Sequence, residues 1–286
     1  MSRTYVVTGA ASGIGRATAN LLAHRGNRVI GVDVRSGDVV ADLSTPQGRE
    51  DAVEGVLDEA GGRIDGVVAN AGLSLPTAAT VAVNYFGAVG LLHGLRSALV
   101  AASSGAPRAV VTSSMATLMP VHAPLVEACV AGDEERAMLI AADLEAQGPQ
   151  VGAILYPSSK RALSRWVRRV APTATWAGAG IPLNAVAPGI VRTPMVEELI
   201  ATEEGRAGLE AAVPMPLHGY LEAQQVAALI AWLVSPENTH LCGQTVYVDG
   251  GSDVVLRGED VWSWNDPPST VSTPHDEARE SQPASS

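Results

Sequence analysis

Short apolar runs rich in Val, Ile and Ala recur along the chain, each followed by a longer stretch with helical spacing, and this alternation restricts the fold more than any other feature. A strand, a helix and a return to a strand of the same direction make a βαβ unit, so the pattern predicts an α/β domain around an open parallel sheet of about seven strands. The expected strands are residues 5–8, 28–33, 39–41, 66–69, 109–112, 183–186 and 245–248. Several are apolar without alternation, as strands covered on both faces must be. Helices are expected near 13–25, 45–60, 80–102, 157–170 and 221–234, the last apolar nearly all round and therefore well buried.

With 286 residues and 47% hydrophobic content the chain can bury one sizeable core and is short for two. One domain, residues 1–264, is expected. The tail, 265–286, has Val271 as its only large aliphatic residue, cannot offset its ordering entropy by burial, and is expected to be disordered. Nineteen basic against 30 acidic side chains give a net charge of -11, which repels phosphate backbones and excludes a nucleic-acid partner. Cys129 and Cys242 sit beside apolar residues and read as free thiols. His24, His93, His122, His218, His240 and His275 are scattered without ligand spacing, so no metal site is expected. The first strand begins almost at once, leaving no room for a signal peptide. The charge-free stretch 66–92 is broken by Asn70, Gly72, Pro76 and Asn84, which argues against a membrane span and makes the cytoplasm the expected compartment.

The first chemical motif, Thr8-Gly9-Ala10-Ala11-Ser12-Gly13-Ile14-Gly15, falls where a strand ends and a helix begins. Glycine there lets the backbone turn sharply and approach a pyrophosphate, whose charge meets the helix N-terminus. Asp33 follows at the end of the next strand, about 20 residues on, where a carboxylate binds the ribose hydroxyls of an adenosine and repels a 2′-phosphate. Together they predict a Rossmann-type doubly wound sheet that binds NAD. Neither Ser12 nor Val34 supplies a cation that would favour NADP.

Tyr156 and Lys160 stand at i, i+4 at a helix start, on one face, with Pro157 suited to the first turn. For a tyrosine of pKa about 10 to act as a base near neutrality takes a shift of roughly 3 units, or about 4 kcal/mol. One cation at roughly 4 Å in an effective dielectric near 20 supplies that much. Lys160 is the one lysine among 19 basic residues, so something at that position excludes guanidinium. A compact ammonium faces a phenolic oxygen and ribose hydroxyls together more readily than a planar fork does. Ser114 ends the run Val110-Val111-Thr112-Ser113-Ser114, at the sheet edge where ligands of open α/β folds bind.

In these motifs the chain resembles the short-chain dehydrogenase/reductase family, from about residue 4 to residue 251. The shared features are the T-G-x-x-x-G-x-G turn, Asp42-Leu43, Asn70-Ala71-Gly72, Asn84, Ser114, the Y-x-x-x-K of Tyr156 and Lys160, Pro188-Gly189, Thr193 and Asp249-Gly250-Gly251. The resemblance implies an NAD-dependent enzyme interconverting a secondary alcohol and a ketone. It implies that Ser114 rather than Ser113 binds the substrate oxygen, that Asn84 positions a water leading to Lys160, and that Asp42 and Leu43 lie on the adenine side. Pro188, Gly189, Ile190, Val191 and Thr193 are then expected at the nicotinamide end, with Thr193 on the carboxamide.

Ser114 and Tyr156 are 42 positions apart, more than most members of that family allow, so an insertion is expected across 120–150. Val126, Val130, Met138, Leu139 and Leu144 among acidic residues suggest one or two amphipathic helices there. With the runs Val83-Asn84-Tyr85-Phe86-Gly87-Ala88 and Ala41-Asp42-Leu43-Ser44-Thr45, the segment resembles the bacterial 3α-hydroxysteroid dehydrogenase/carbonyl reductase group, which implies steroids or other bulky cyclic substrates. Met115, Leu118, Met119, Ile190, Met195 and Leu199 are candidates for an apolar pocket. The apolar side of the insertion is expected to join or cap a helix interface in a homo-oligomer, a dimer before a tetramer. Alternative readings are a carbonyl reductase or alcohol dehydrogenase for a smaller cyclic or terpenoid substrate, and a 3-oxoacyl-carrier-protein reductase, which the acidic charge disfavours. A non-catalytic NAD-binding regulator would tolerate loss of the serine, tyrosine or lysine, and all three are present.

Overall fold

Seven of the apolar runs pair side by side, all parallel, in a computed structural model that describes residues 2–102 and 105–265. The chain forms β1 (Thr4–Thr8), α1 (Gly13–His24), β2 (Arg28–Asp33), β3 (Val39–Val40), α2 (Pro46–Ala60) and β4 (Gly66–Ala69). A helical run follows, made of α3 (Ala78–Val81), a π-helical stretch (Ala82–Gly87) and α4 (Ala88–Val100). Next come β5 (Arg108–Thr112) and a 3₁₀ turn (Met115–Leu118), then α5 (Ala123–Ala131), α6 (Glu134–Ala146), α7 (Pro149–Gly152) and α8 (Leu155–Val170). β6 (Leu183–Pro188), β7 (Val191–Arg192), α9 (Pro194–Ala201), α10 (Glu203–Ala212) and β8 (Leu221–Glu222) precede α11 (Ala223–Leu233), β9 (Thr245–Val248) and α12 (Ser252–Arg257).

The main sheet runs β3-β2-β1-β4-β5-β6-β9, and β7 pairs with β8 apart from it. The chain builds outward from β1 to β3 and then returns to the other side of β1, so the order reverses between β1 and β4. A crevice opens there at the C-terminal strand ends, which is where open α/β sheets bind ligands. Alternate side chains of each strand feed opposite layers. Val6, Val67, Val111 and Ala185 pack under α2, α4 and α8, whereas Tyr5, Val7, Val68, Val110 and Val186 pack under α1 and α11. Helices on both faces make this the doubly wound arrangement that the alternation predicts.

The seven expected strands all form, with ends within two residues of those expected. The expected helix 80–102 is interrupted by the π-helical stretch at Asn84, and 157–170 begins earlier, at Leu155, which puts Tyr156 inside the first turn. The continuous helical run Ala78–Val100 is long and apolar enough to cross a membrane. Val81, Tyr85, Leu91, Leu92, Leu95 and Leu99 from it are fully buried in the core instead. The tail from 266 to 286 lies outside the described residues, and Asn265 closes a short 3₁₀ turn.

Two helices, α5 and α6, fill 123–146, where one or two are expected, and the short α7 follows them. His122 Nδ1 accepts from Leu125 N at 3.3 Å to cap α5, Gly132 ends that helix at φ 77°, and Asp133 caps α6 through Arg136 N at 3.1 Å. Leu125, Val126, Cys129, Val130, Ala137, Ala141 and Leu144 are buried in the same core as α4 and α8. The chain's own core thus covers the apolar side of the insertion, with Leu139 the exception at 67% exposure. Arg49 of α2 reaches α6 and holds Glu134 with both carboxylate oxygens, at 2.7 and 2.9 Å.

Because α5 is part of the core, Leu125→Ala is expected to cost about 2–5 kcal/mol, while Leu139→Ala should stay within about 0.5 kcal/mol. Urea unfolding of the two variants measures the difference, and equal small losses would place the insertion outside the cooperative core.

Candidate active site

Gly9 at φ 67° and Gly13 at φ 51° make the turn after β1 possible. Gly15 serves a different need, since a Cβ there would stand 2.1 Å from the Gly9 carbonyl oxygen. Ser12 is the N-cap of α1 but makes no capping bond with its side chain, so the first-turn N–H groups are left without a side-chain acceptor beside the crevice. Gly9, Ser12, Gly13 and Ile14 line a cleft of about 780 Å³, counting its open mouth, together with Asn70, Ala71, Gly72, Ser114, Tyr156, Lys160, Pro188, Gly189, Val191 and Thr193.

A second cleft of about 910 Å³ continues from Gly9 and Ser12 past Asp33 to Asp42 and Leu43, so the two form one elongated groove. Asp33 closes β2 with its carboxylate fixed by two backbone donors, Ala11 N on Oδ2 and Arg35 N on Oδ1, each at 3.1 Å. Asp42 Oδ1 accepts from Ser44 N at 2.9 Å. Arg35 also lines this cleft, a cation two residues beyond Asp33 that inspection of Ser12 and Val34 alone overlooks. An uncapped helix N-terminus, a turn of glycines and small side chains and a carboxylate at the next strand end fit a dinucleotide laid across the crevice.

Asn70 does not simply occupy a loop. Thr8 Oγ1 accepts from both Asn70 N and Ala71 N at 2.9 Å, Asn70 Nδ2 donates to Thr8 O at 3.2 Å, and Thr112 Oγ1 donates to Asn70 Oδ1 at 3.0 Å. Asn84, fully buried in the π-helical stretch, gives Nδ2 to Leu73 O and Ser159 Oγ, at 2.9 and 3.0 Å, and accepts Leu73 N on Oδ1 at 2.8 Å. Both its donors are therefore committed to protein, and only the second lone pair of Oδ1 is left for the water relay that the resemblance implies. Gly72 stands between this oxygen and Lys160: a Cβ on it would come 3.0 Å from Asn84 Oδ1 and 3.4 Å from Lys160 Nζ.

Tyr156 and Lys160 project from one face of α8, as their spacing predicts. Lys160 is buried, donates from Nζ to the Thr112 carbonyl at 2.8 Å, and stands 5.8 Å from the Tyr156 ring centroid. Burial pulls its pKa from 10.5 down to about 8. The Tyr156 phenol is pushed up by burial, with its hydrogen bond to Ser114 the opposing influence. In the field of the protein's own groups the tyrosine thus moves opposite to the direction expected from a neighbouring lysine, because the ammonium is turned to a carbonyl while enclosure dominates. Ser114 also caps the 3₁₀ turn, accepting from Ala116 N at 3.1 Å. Ser113 bonds Ser164 Oγ at 2.7 Å and has a structural role.

Ile190 is not among the residues that line these two clefts. It is buried with Met115 and Val213, beside Met119, Leu209, Met215, Tyr220 and Tyr247, and its N–H meets Met215 Sδ at 3.2 Å. Met195 and Leu199 are exposed on α9, with Met195 at the cleft mouth beside Pro194 and Val196. These three belong to α9, which the sequence reading did not anticipate although Thr193-Pro194 is a helix-start signal.

Comparison with known proteins accords with this geometry. A family model described as enoyl-(acyl carrier protein) reductase matches residues 9–253. A 3-alpha-hydroxysteroid dehydrogenase/carbonyl reductase of Comamonas testosteroni is 38% identical over 257 residues, 88% of this chain and 97% of that protein. The chain belongs to the short-chain dehydrogenase/reductase family. The 3-alpha-hydroxysteroid dehydrogenase from Pseudomonas sp. B-0831, solved with NADH, matches this short-chain dehydrogenase/reductase with a TM-score of 0.80 and 42% identity, over 89% of this chain and 98% of that one. The cis-4-hydroxycyclohexanecarboxylate dehydrogenase of Sinomonas cyclohexanicum is 33% identical over 268 residues, covering 88% and 97% of the two chains.

The buried lysine makes the stability of this short-chain dehydrogenase/reductase depend on pH. Unfolded, the chain holds that proton to about pH 10.5, whereas folded it releases it near 8, so the cost of the buried charge is full below pH 8 and fades between 8 and 10.5. Lys160→Met should therefore stabilise the protein at neutral pH by on the order of 2 kcal/mol, after subtracting the lost bond to the Thr112 carbonyl. Denaturant titrations at neutral and strongly alkaline pH test this, and a gain that persists unchanged in alkali would refute it.

Proposed function

We propose that this enzyme interconverts a secondary alcohol and a ketone with NAD, on a steroid or another bulky cyclic hydroxy compound. The observation that carries the reading is the convergence of Ser114, Tyr156 and Lys160 on one wall of the groove that begins at the uncapped N-terminus of α1. The first-turn amides of α1 would hold the pyrophosphate, Asp33 the adenosine ribose, Lys160 the nicotinamide ribose, and the Pro188–Thr193 segment the nicotinamide end. The bound cofactor supplies hydride exchange with the carbinol carbon. Tyr156 takes the hydroxyl proton in oxidation and returns it in reduction, while Ser114 holds the substrate oxygen beside the phenol. Asn84 fixes the Leu73 loop and Ser159 behind Lys160, and its remaining lone pair would accept from the water that relays the proton outward from Lys160.

The names of the hydroxysteroid relatives support a large apolar substrate. The hydroxycyclohexanecarboxylate relative supports a second reading, a smaller cyclic alcohol. We place the enzyme in the cytoplasm as a homo-oligomer, and the cover of α8 by the insertion within the same chain favours a dimer before a tetramer.

Assaying the purified enzyme with steroid, terpenoid, cyclohexanol-type and 3-oxoacyl substrates separates these readings. Tyr156→Phe should abolish turnover with cofactor affinity largely kept, and Lys160→Arg should lose most of it despite its charge. Near-normal turnover in either would sink the mechanism. Because burial raises the Tyr156 pKa, oxidation should quicken from neutral into alkaline pH while reduction slows.

NAD should exceed NADP in kcat/KM, since the Asp33 carboxylate repels a 2′-phosphate. Arg35 is the cation in that cleft able to oppose the preference. Higher kcat/KM with NADP would transfer the discriminating role from Asp33 to Arg35.

A further inference from the structure

The turn that carries Ser114 is gripped from α8 by a guanidinium that the reaction itself does not use. Arg161 donates from Nε to the Thr117 carbonyl and from Nη2 to the Met119 carbonyl, the latter at 3.0 Å. Ser114 caps the start of this 3₁₀ turn and Arg161 holds its end. Among the described residues no carboxylate pairs with Arg161, which is half-buried. A planar fork that meets two carbonyls fixes both the distance and the tilt of the turn, which a single-point ammonium would not. From the opposite side Thr117 Oγ1 bonds the Tyr247 hydroxyl at 2.9 Å. Farther along the same face of α8, Arg165 pairs with Glu127 and Arg169 donates to the Val130 carbonyl, so the segment after Ser114 is fastened along the helix.

We propose that Arg161 is a positioning residue that holds the 3₁₀ turn so that Ser114 Oγ meets the Tyr156 phenol and the substrate oxygen. The assignment rests on Ser114 and Tyr156 being the reacting pair. Arg161 lies next to Lys160 in sequence but serves a different partner: the lysine turns to the end of β5, the arginine to the turn beyond it.

Arg161→Met keeps the stem and removes the fork, while Arg161→Lys keeps the charge and one donor. Both retain Lys160, the titratable group 5.8 Å from the Tyr156 ring centroid. Steady-state oxidation across neutral to alkaline pH should show kcat lowered about tenfold or more in Arg161→Met, which loses two hydrogen bonds from a charged group. The rising limb of the profile should move to higher pH, because a displaced Ser114 no longer opposes burial at the phenol, and KM for NAD should stay unchanged. Arg161→Lys should recover part of the loss, and in a Ser114→Ala background removing Arg161 should add nothing. An unmoved limb, a loss fully additive with Ser114→Ala, full recovery in Arg161→Lys, or failure of both variants to fold would each overturn the proposal. Turnover retained in Tyr156→Phe would bring down the underlying reading instead.

Discussion

Thr8, Asn70 and Thr112 knot together the C-terminal ends of β1, β4 and β5 where the strand order reverses, and the site depends on that knot. A reversal leaves neighbouring strands diverging into different connections, with backbone groups at their ends that no ladder satisfies. The asparagine amide and two threonine hydroxyls fill that gap. On one side the knot sets the start of the glycine turn, and on the other Thr112 presents its carbonyl to the Lys160 ammonium. The glycine turn and α8 are thereby referred to the same three residues.

The electrostatics of the site follow from enclosure. Lys160 lies deep in the wall with a neutral carbonyl as its partner, so its proton is held weakly. Tyr156 is enclosed too and keeps its proton more tightly, with Ser114 as the opposing influence. Positive charge brought to the phenol, or a substrate oxygen shared with Ser114, changes that balance at little structural cost. The chain's near-exclusive use of arginine sharpens the contrast at adjacent positions. At 160 a compact donor meets the Thr112 carbonyl beside the phenol, and at 161 a wide fork spans two carbonyls.

Much of this was legible in the sequence because buried parallel strands leave little freedom of composition. The runs around Val6, Val67 and Val110 have no polar alternative, and the i, i+4 spacing of Tyr156 and Lys160 put them on one face without further information. What could not be read depended on distant partners. The interruption at Asn84 arises because its amide is drawn to Leu73 and Ser159. The upward shift of Tyr156 depends on enclosure that only packing creates, and Ile190 turns inward because Met215 and Val213 receive it. The insertion's apolar residues permitted either self-burial or a partner, and α4 and α8 decided it. The helices after Thr193 are not among those expected, although Thr193-Pro194 and Thr202 mark their starts, and they lie largely outside the core.

Their place outside the core has a dynamic consequence. α10 buries no side chain, and Met195 and Leu199 of α9 stay exposed at the mouth of the groove. The 194–212 segment is secured beyond its far end, where Val213 is buried and Leu217 N bonds Gly250 O. Displacing these helices exposes little new apolar surface, so local opening here costs far less than breaking the sheet, and amide protons in them should exchange long before those of the central strands. The crevice can open through this wall while the knot beneath stays intact.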